Sequence, residues 1–121
     1  MIIDILNQYS DIIETYNILK FNLTESSYCL VYEVELTDAA RLFARDYLFQ
    51  DGTRKYSFHW QGADGDCIVR WDNAPHHQGV SSFPYHQHRG KEERVEESQP
   101  MKLEKVLEHI RKQIVCKEKI P

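Results

Sequence analysis

Histidine, arginine and carboxylate residues gather in the middle of this 121-residue chain, in a pattern suited to acid–base chemistry on a phosphate. Five of the six histidines, His59, His76, His77, His86 and His88, fall between residues 41 and 91. An Asp64-Gly65 hairpin turn joining extended runs at 54–61 and 66–72 sets His59 beside Arg70 and Ser57 beside Asp72. The preceding strand brings Asp46 against Ser57. A carboxylate near an imidazole orients it and favours its charged form, and an arginine stabilises an oxyanion or a phosphate. Cleavage of RNA through its 2′-hydroxyl needs a base, an acid and a cation for the pentavalent phosphorane, with no obligatory metal. His59, Arg70, Asp72, Asp46 and Ser57 are therefore the candidate catalytic residues. The blander reading is a solvent face whose charges pair for solubility. A Ser57–His59–Asp hydrolytic triad lacks the sharp nucleophile turn and the Gly-rich oxyanion loop.

A second group follows the last strand. Asp72-Asn73 suits a capped turn, and His76, His77, His86 and His88 line the edge of a cleft. With Lys55 and Asn73 they form a candidate substrate-binding set, and Tyr85 is placed to stack a nucleobase. An open imidazole site for a divalent ion is the competing reading. The spacing fits no zinc finger and no cysteine joins it, so the expectation is that no metal or cofactor is held.

The elements that must position these residues are legible from periodicity and turns. Apolar side chains at 2, 5, 6, 9, 12, 13, 16 and 19 give the stripe of an amphipathic helix over 2–19. Residues 28–36 alternate as a half-buried strand, and further extended runs occupy about 39–49, 54–61 and 66–72. Two-residue turns at 37–38, 51–52 and 64–65 make these a four-stranded antiparallel meander. In that register Leu30, Tyr32, Val34, Phe43, Tyr47, Phe49, Tyr56, Phe58, Trp60, Val69 and Trp71 share one face. Glu33, Glu35, Asp46, Lys55, Ser57, His59, Arg70 and Asp72 share the other. Arg41, Arg45 and Arg54 intrude on the aromatic face, at its rim. Residues 73–99 read as an irregular His-rich loop ending in an acidic linker, and 100–116 as a second amphipathic helix. The expected architecture is a single α+β domain over 1–121, with both helices on one sheet face.

Composition narrows the function class. Hydrophobic residues make up 41% and charged residues 28%, ordinary globular usage. The net charge of −4 argues against coating nucleic acid by bulk basicity. It is unevenly spread: residues 41–91 hold seven Lys/Arg against five Asp/Glu, so +2, which leaves −6 for the flanks. No apolar run reaches the ~18 residues of a membrane span. Three widely spaced cysteines and the absence of a signal-like start fit a reducing cytoplasm and no membrane partner.

The strings Arg45-Asp46-Tyr47-Leu48-Phe49, Lys55-Tyr56-Ser57-Phe58-His59-Trp60-Gln61, Arg70-Trp71-Asp72-Asn73-Ala74-Pro75-His76-His77 and Phe83-Pro84-Tyr85-His86-Gln87-His88 resemble the TumE family. The likeness runs over about 41–103. Two positions depart from that pattern, Asp46 standing for Glu and Tyr85 for His. The family is the toxin half of prokaryotic type II toxin–antitoxin pairs. The resemblance implies neutralisation by a co-encoded antitoxin with a helix-turn-helix domain. Combined with the polar-face residues, it leads us to expect a metal-independent endoribonuclease acting on RNA, with a homodimer as one assembly. The alternative is a non-catalytic module that binds its partner or nucleic acid through the polar face and the His-rich loop.

Overall fold

The computed structural model describes residues 2–118, excluding the side chain of Glu118; the ends of the expected 1–121 domain lie outside the described residues. In chain order the elements are α1 (Ile2–Gln8), β1 (Ile13–Leu23), β2 (Tyr28–Leu36), β3 (Arg41–Leu48), β4 (Arg54–Gln61), β5 (Cys67–Asp72), β6 (His86–Arg89), β7 (Val95–Glu97) and α2 (Leu103–Glu118). The strands form one antiparallel sheet in sequential order. The fold is α+β, as expected, but the meander has seven strands rather than four.

Each additional strand has a physical cause. Residues 13–23 are a strand and not the second half of a helix. Two bulges, between Ile13 and Thr15 and between Ile18 and Lys20, each insert a residue. They space the helix-side residues Ile13, Tyr16, Ile18, Phe21 and Leu23 by threes as well as twos, and Ile13, Tyr16 and the second-bulge residue Leu19 together imitate a helical stripe. β6 escapes a hydrophobic pattern because its buried residues are His86 and His88, on the face turned away from the helices, while Gln87 and Arg89 take the helix side. β7 takes up part of the expected acidic linker by pairing Val95, Glu96 and Glu97 with β6.

The three turns share one design, and it is a residue longer than expected. The N–H groups of Leu36, Phe49 and Gly62 donate to the Ala40, Thr53 and Asp66 carbonyls, and their own carbonyls accept from Ala39, Gly52 and Gly65, so each loop holds three residues. The last loop residue is left-handed in each case: Ala39 (φ 70°), Gly52 (φ 88°) and Gly65 (φ 89°). The aspartate before it accepts the N–H two residues on, from Ala40, Thr53 and Asp66 at 3.1, 2.9 and 2.9 Å.

This extra residue changes the phase of β3. Phe43 lies opposite His59 and Arg45 opposite Ser57, where the two-residue turn would have set Trp60 and Asp46. Leu42, Ala44 and Asp46 therefore face the helices, while Arg41, Phe43, Arg45 and Tyr47 face the other way. The third turn has no such effect. A bulge between Trp60 and Gln61 restores the register, so His59 pairs with Arg70 and Ser57 with Asp72.

α2 covers the helix face with Leu103, Val106, Leu107, Ile110 and Ile114, and α1 adds Ile2 and Leu6. Beneath α2, Trp60 and Trp71 stack at 6.5 Å, and His109 meets both edge-on. Arg54 clamps the sheet to the start of α2. It grips Asp46 with two bonds of 2.9 Å, donates to the Met101 carbonyl at 2.6 Å and lies over the Tyr56 ring. The rim position expected for Arg54 is thus real, and Asp46 is its partner.

Two outcomes follow for stability. Ala39→Gly is expected to raise unfolding free energy by roughly 0.5–1 kcal/mol, and Gly52→Ala to lower it by about 1 kcal/mol. Urea midpoints at constant m-value measure both. Arg54→Ala is expected to cost about 2–4 kcal/mol, because it strands Asp46 and the Met101 carbonyl together.

Candidate functional site

The sheet face turned away from the helices presents its side chains in two adjoining rows. One row reads Glu33, Phe43, His59, Arg70 and His88, and the next reads Val31, Arg45, Ser57, Asp72 and His86. Within the first row the rings of Phe43 and His59 stand 6.4 Å apart. Tyr47 and Lys55 extend the patch, sharing a depression with Arg45, Phe49 and Ser57. Arg41, Arg45 and Lys55 are exposed, and no ion pair engages them among the described residues. Arginines with interleaved aromatic rings on an open sheet suit a single-stranded polyanion.

His59 is half-buried, and that burial pushes its imidazole below the ordinary 6.5; the Arg70 guanidinium adds to the effect, against a hydrogen bond with Gln61. It is therefore a neutral base near pH 7. Arg70 is already engaged. Its Nε donates to Asp72 at 3.2 Å and its Nη2 to Glu92 at 2.6 Å. That second bond holds the Glu92 carboxyl below its usual range.

Asp72 is the hub of the second half of the site. It is buried at 7% exposure, and its Oδ1 accepts from the Ala74 N–H at 3.1 Å. His86 Nε2 lies 2.8 Å from Oδ1, and His88 Nε2 lies 3.6 Å from Oδ2. His77, carried over the sheet by the 73–85 loop, packs its ring 4.7 Å from His86 and 5.4 Å from His88. Its pKa is lowered by burial and then by the neighbouring imidazoles.

The expected residues thus divide. His59, Ser57, Arg70, Asp72, His86, His88 and Lys55 share the open side of the sheet, with His77 above them. Asp46 does not: it lies on the helix side, bonded to Arg54 and to the Tyr28 hydroxyl at 3.0 Å. The longer turn at 50–52 is the reason. Asn73 serves the backbone, its side-chain oxygen accepting from Tyr56 N–H at 2.9 Å and its amide donating to the Arg54 carbonyl at 2.7 Å. This extends the β4–β5 ladder by a side chain. Tyr85 packs against the hydrophobic core, and His76 is exposed on the loop outside the cluster. Sequence reading missed Arg41, Phe43, Arg45, Tyr47 and Glu92. Two arginines four residues apart, Arg41 and Arg45, on a supposedly aromatic face were the available signal that β3 was out of phase.

The comparisons with known proteins agree with the resemblance in the sequence. No curated protein and no solved structure matches the chain. The family model described as toxin TumE matches residues 2–115, nearly the whole length. An α+β chain matched over that span, site included, belongs to the TumE toxin family.

Proposed function

We propose that this toxin is an endoribonuclease that holds single-stranded RNA on the open face of its sheet and cleaves it beside His59. The observation that carries the reading is the basic and aromatic patch of Arg41, Phe43, Arg45, Tyr47 and Lys55, which leads straight to His59 and Arg70. Backbone phosphates meet the cations, and unstacked bases meet Phe43 and Tyr47. Neutral His59 takes the proton from the 2′-hydroxyl as its oxygen attacks the adjacent phosphorus. The bond to the 5′-oxygen breaks and that oxygen takes a proton from solvent, leaving a 2′,3′-cyclic phosphate and a 5′-hydroxyl. Arg70 offsets charge on the phosphorane, and Asp72 holds Arg70 in place rather than orienting His59.

The family implies an antitoxin partner. We infer that this protein, with the helix-turn-helix domain the resemblance suggests, covers the apolar groove between β1 and the start of α2. Phe21 and Leu23 stand 46% and 62% exposed there. Phe21→Glu with Leu23→Glu is expected to abolish co-purification with the antitoxin and leave RNA cleavage intact. A dimer of the toxin alone, lost with the same changes, would give that surface to a second copy instead.

For the purified toxin, His59→Ala is expected to lower the single-turnover cleavage rate by ~10²–10⁴ while changing RNA affinity little. Equal loss of binding and toxicity, with no cleavage by the unaltered protein, would favour the binding-module reading. Because the base acts in its neutral form, activity is expected to fall as pH drops through a midpoint below 6.5, the direction in which His59 is shifted. Replacing Arg45 and Lys55 with Gln is expected to lower the salt slope of RNA binding by roughly 0.7 per side chain.

A further inference from the structure

We infer that His77, His86 and His88, with the Asp72 carboxylate, bind one divalent first-row transition ion of the zinc class. One ring nitrogen from each histidine can be chosen so that all lie within 4.8 Å of one another. The hydrogen bonds around the cluster point to a cation. Nδ1 of His86 lies 2.9 Å from the Pro84 carbonyl, and Nδ1 of His88 lies 2.6 Å from the Glu92 carbonyl. A carbonyl only accepts, so each ring carries its proton on Nδ1. With Nδ1 protonated, Nε2 is the atom each ring turns toward Asp72, free to bind a metal ion when it carries no proton.

The two Nε2 atoms converge on one carboxylate. Nε2 of His86 lies 2.8 Å from Asp72 Oδ1, the distance of a shared proton. Nε2 of His88, in a residue only 1% exposed, has no hydrogen-bond partner among the described residues and faces the same carboxylate. Imidazole nitrogens set against a carboxylate need a cation between them; one proton serves one ring, whereas a metal ion serves all three converging rings. Backbone carbonyls holding Nδ1–H while Nε2 points inward is the outer-shell arrangement of metal-binding histidines. Three nitrogens and one carboxylate oxygen make a donor set suited to zinc and its neighbours rather than to magnesium or calcium.

The surroundings tolerate the ion. Arg70 approaches Asp72 from the Oδ2 side and is matched by Glu92, which leaves Oδ1 toward His86. Nitrogens around one tetrahedral ion stand ~3.4 Å apart, so the rings close by about an ångström. His77, the least buried of the three and on a loop, supplies most of that adjustment. Bound there, the ion fastens the 73–85 loop to β5 and β6. This departs from the expectation that no metal is held. It shares Asp72 with the ribonuclease reading, where that carboxylate holds Arg70, but no step at His59 passes through the ion.

Titration of chelator-treated full-length toxin with Zn²⁺ and Co²⁺, in the absence of RNA, tests the proposal. The expected result is one equivalent bound by calorimetry, the visible bands of four- or five-coordinate cobalt, and a raised thermal midpoint. His77→Ala, His86→Ala and His88→Ala are each expected to weaken binding by more than the ~10–100-fold that loss of an orienting partner costs. His76→Ala keeps it. If the buried-site variants fail to fold, His77→Ala on the loop decides the matter. No stoichiometric binding, or binding that survives His77→Ala, overturns the site whether or not the protein cleaves RNA.

Discussion

The basic and aromatic face of this toxin depends on the phase of one strand. Side chains of β3 alternate strictly between faces, so a shift of one residue exchanges Asp46 for Arg45 and Leu42 for Phe43. The three-residue turns on either side of β3 fix that choice together. Each is held by an aspartate accepting a backbone N–H and by a left-handed residue that lets the chain reverse. With β3 in this phase, the helix side gains the small residue Ala44 and the Asp46–Arg54 clamp. The open side gains two arginines and two aromatic rings. Core packing and the basic face are thus consequences of the same backbone geometry.

Asp72 governs the other half of the site in a different way, through convergence. A single carboxylate receives Arg70 from its own strand, faces His86 and His88 from the neighbouring strand, and caps the turn at Ala74. Burying such a group is costly unless positive charge or donors surround it. The surroundings supply both, and they draw the 73–85 loop down over β5 and β6. The loop's polar residues are therefore structural in part, since they close over the carboxylate what elsewhere on this face stays open to solvent.

Local charge matters more to the proposed chemistry than the chain's net charge. The acidic balance of −4 is carried by the flanks, while Arg41, Arg45 and Lys55 on the open face form no ion pair among the described residues, with Glu33 and Glu35 of β2 at its edge. Arg70 is the exception, shared between Asp72 and Glu92. In the proposed reaction an RNA phosphate competes with Glu92 for that guanidinium, so Glu92 would moderate how strongly the site takes up a polyanion.

Much of this was legible in the sequence, because some signals are local. Strand alternation at Tyr28–Leu36 and Arg54–Gln61, the Asp-Gly turns, the helical spacing from Leu103 to Ile114, and the neighbouring of His59 with Arg70 and Ser57 with Asp72 all followed from residue type and spacing. What failed were features in which one residue is inserted or a polar residue does an apolar residue's work. Bulges in β1 gave a strand the spacing of a helix, and β6 hid because its buried residues are histidines on the face away from the helices. The two-residue and three-residue forms of an Asp-Gly turn look alike in letters yet send Asp46 and Arg45 to opposite faces. Only the tertiary structure decided that choice, because it turns on which set of β3 side chains fits beneath α2. It alone also brought His77 and Glu92 to Asp72 and Arg70, since loop closure over a buried carboxylate leaves no periodic trace along the chain.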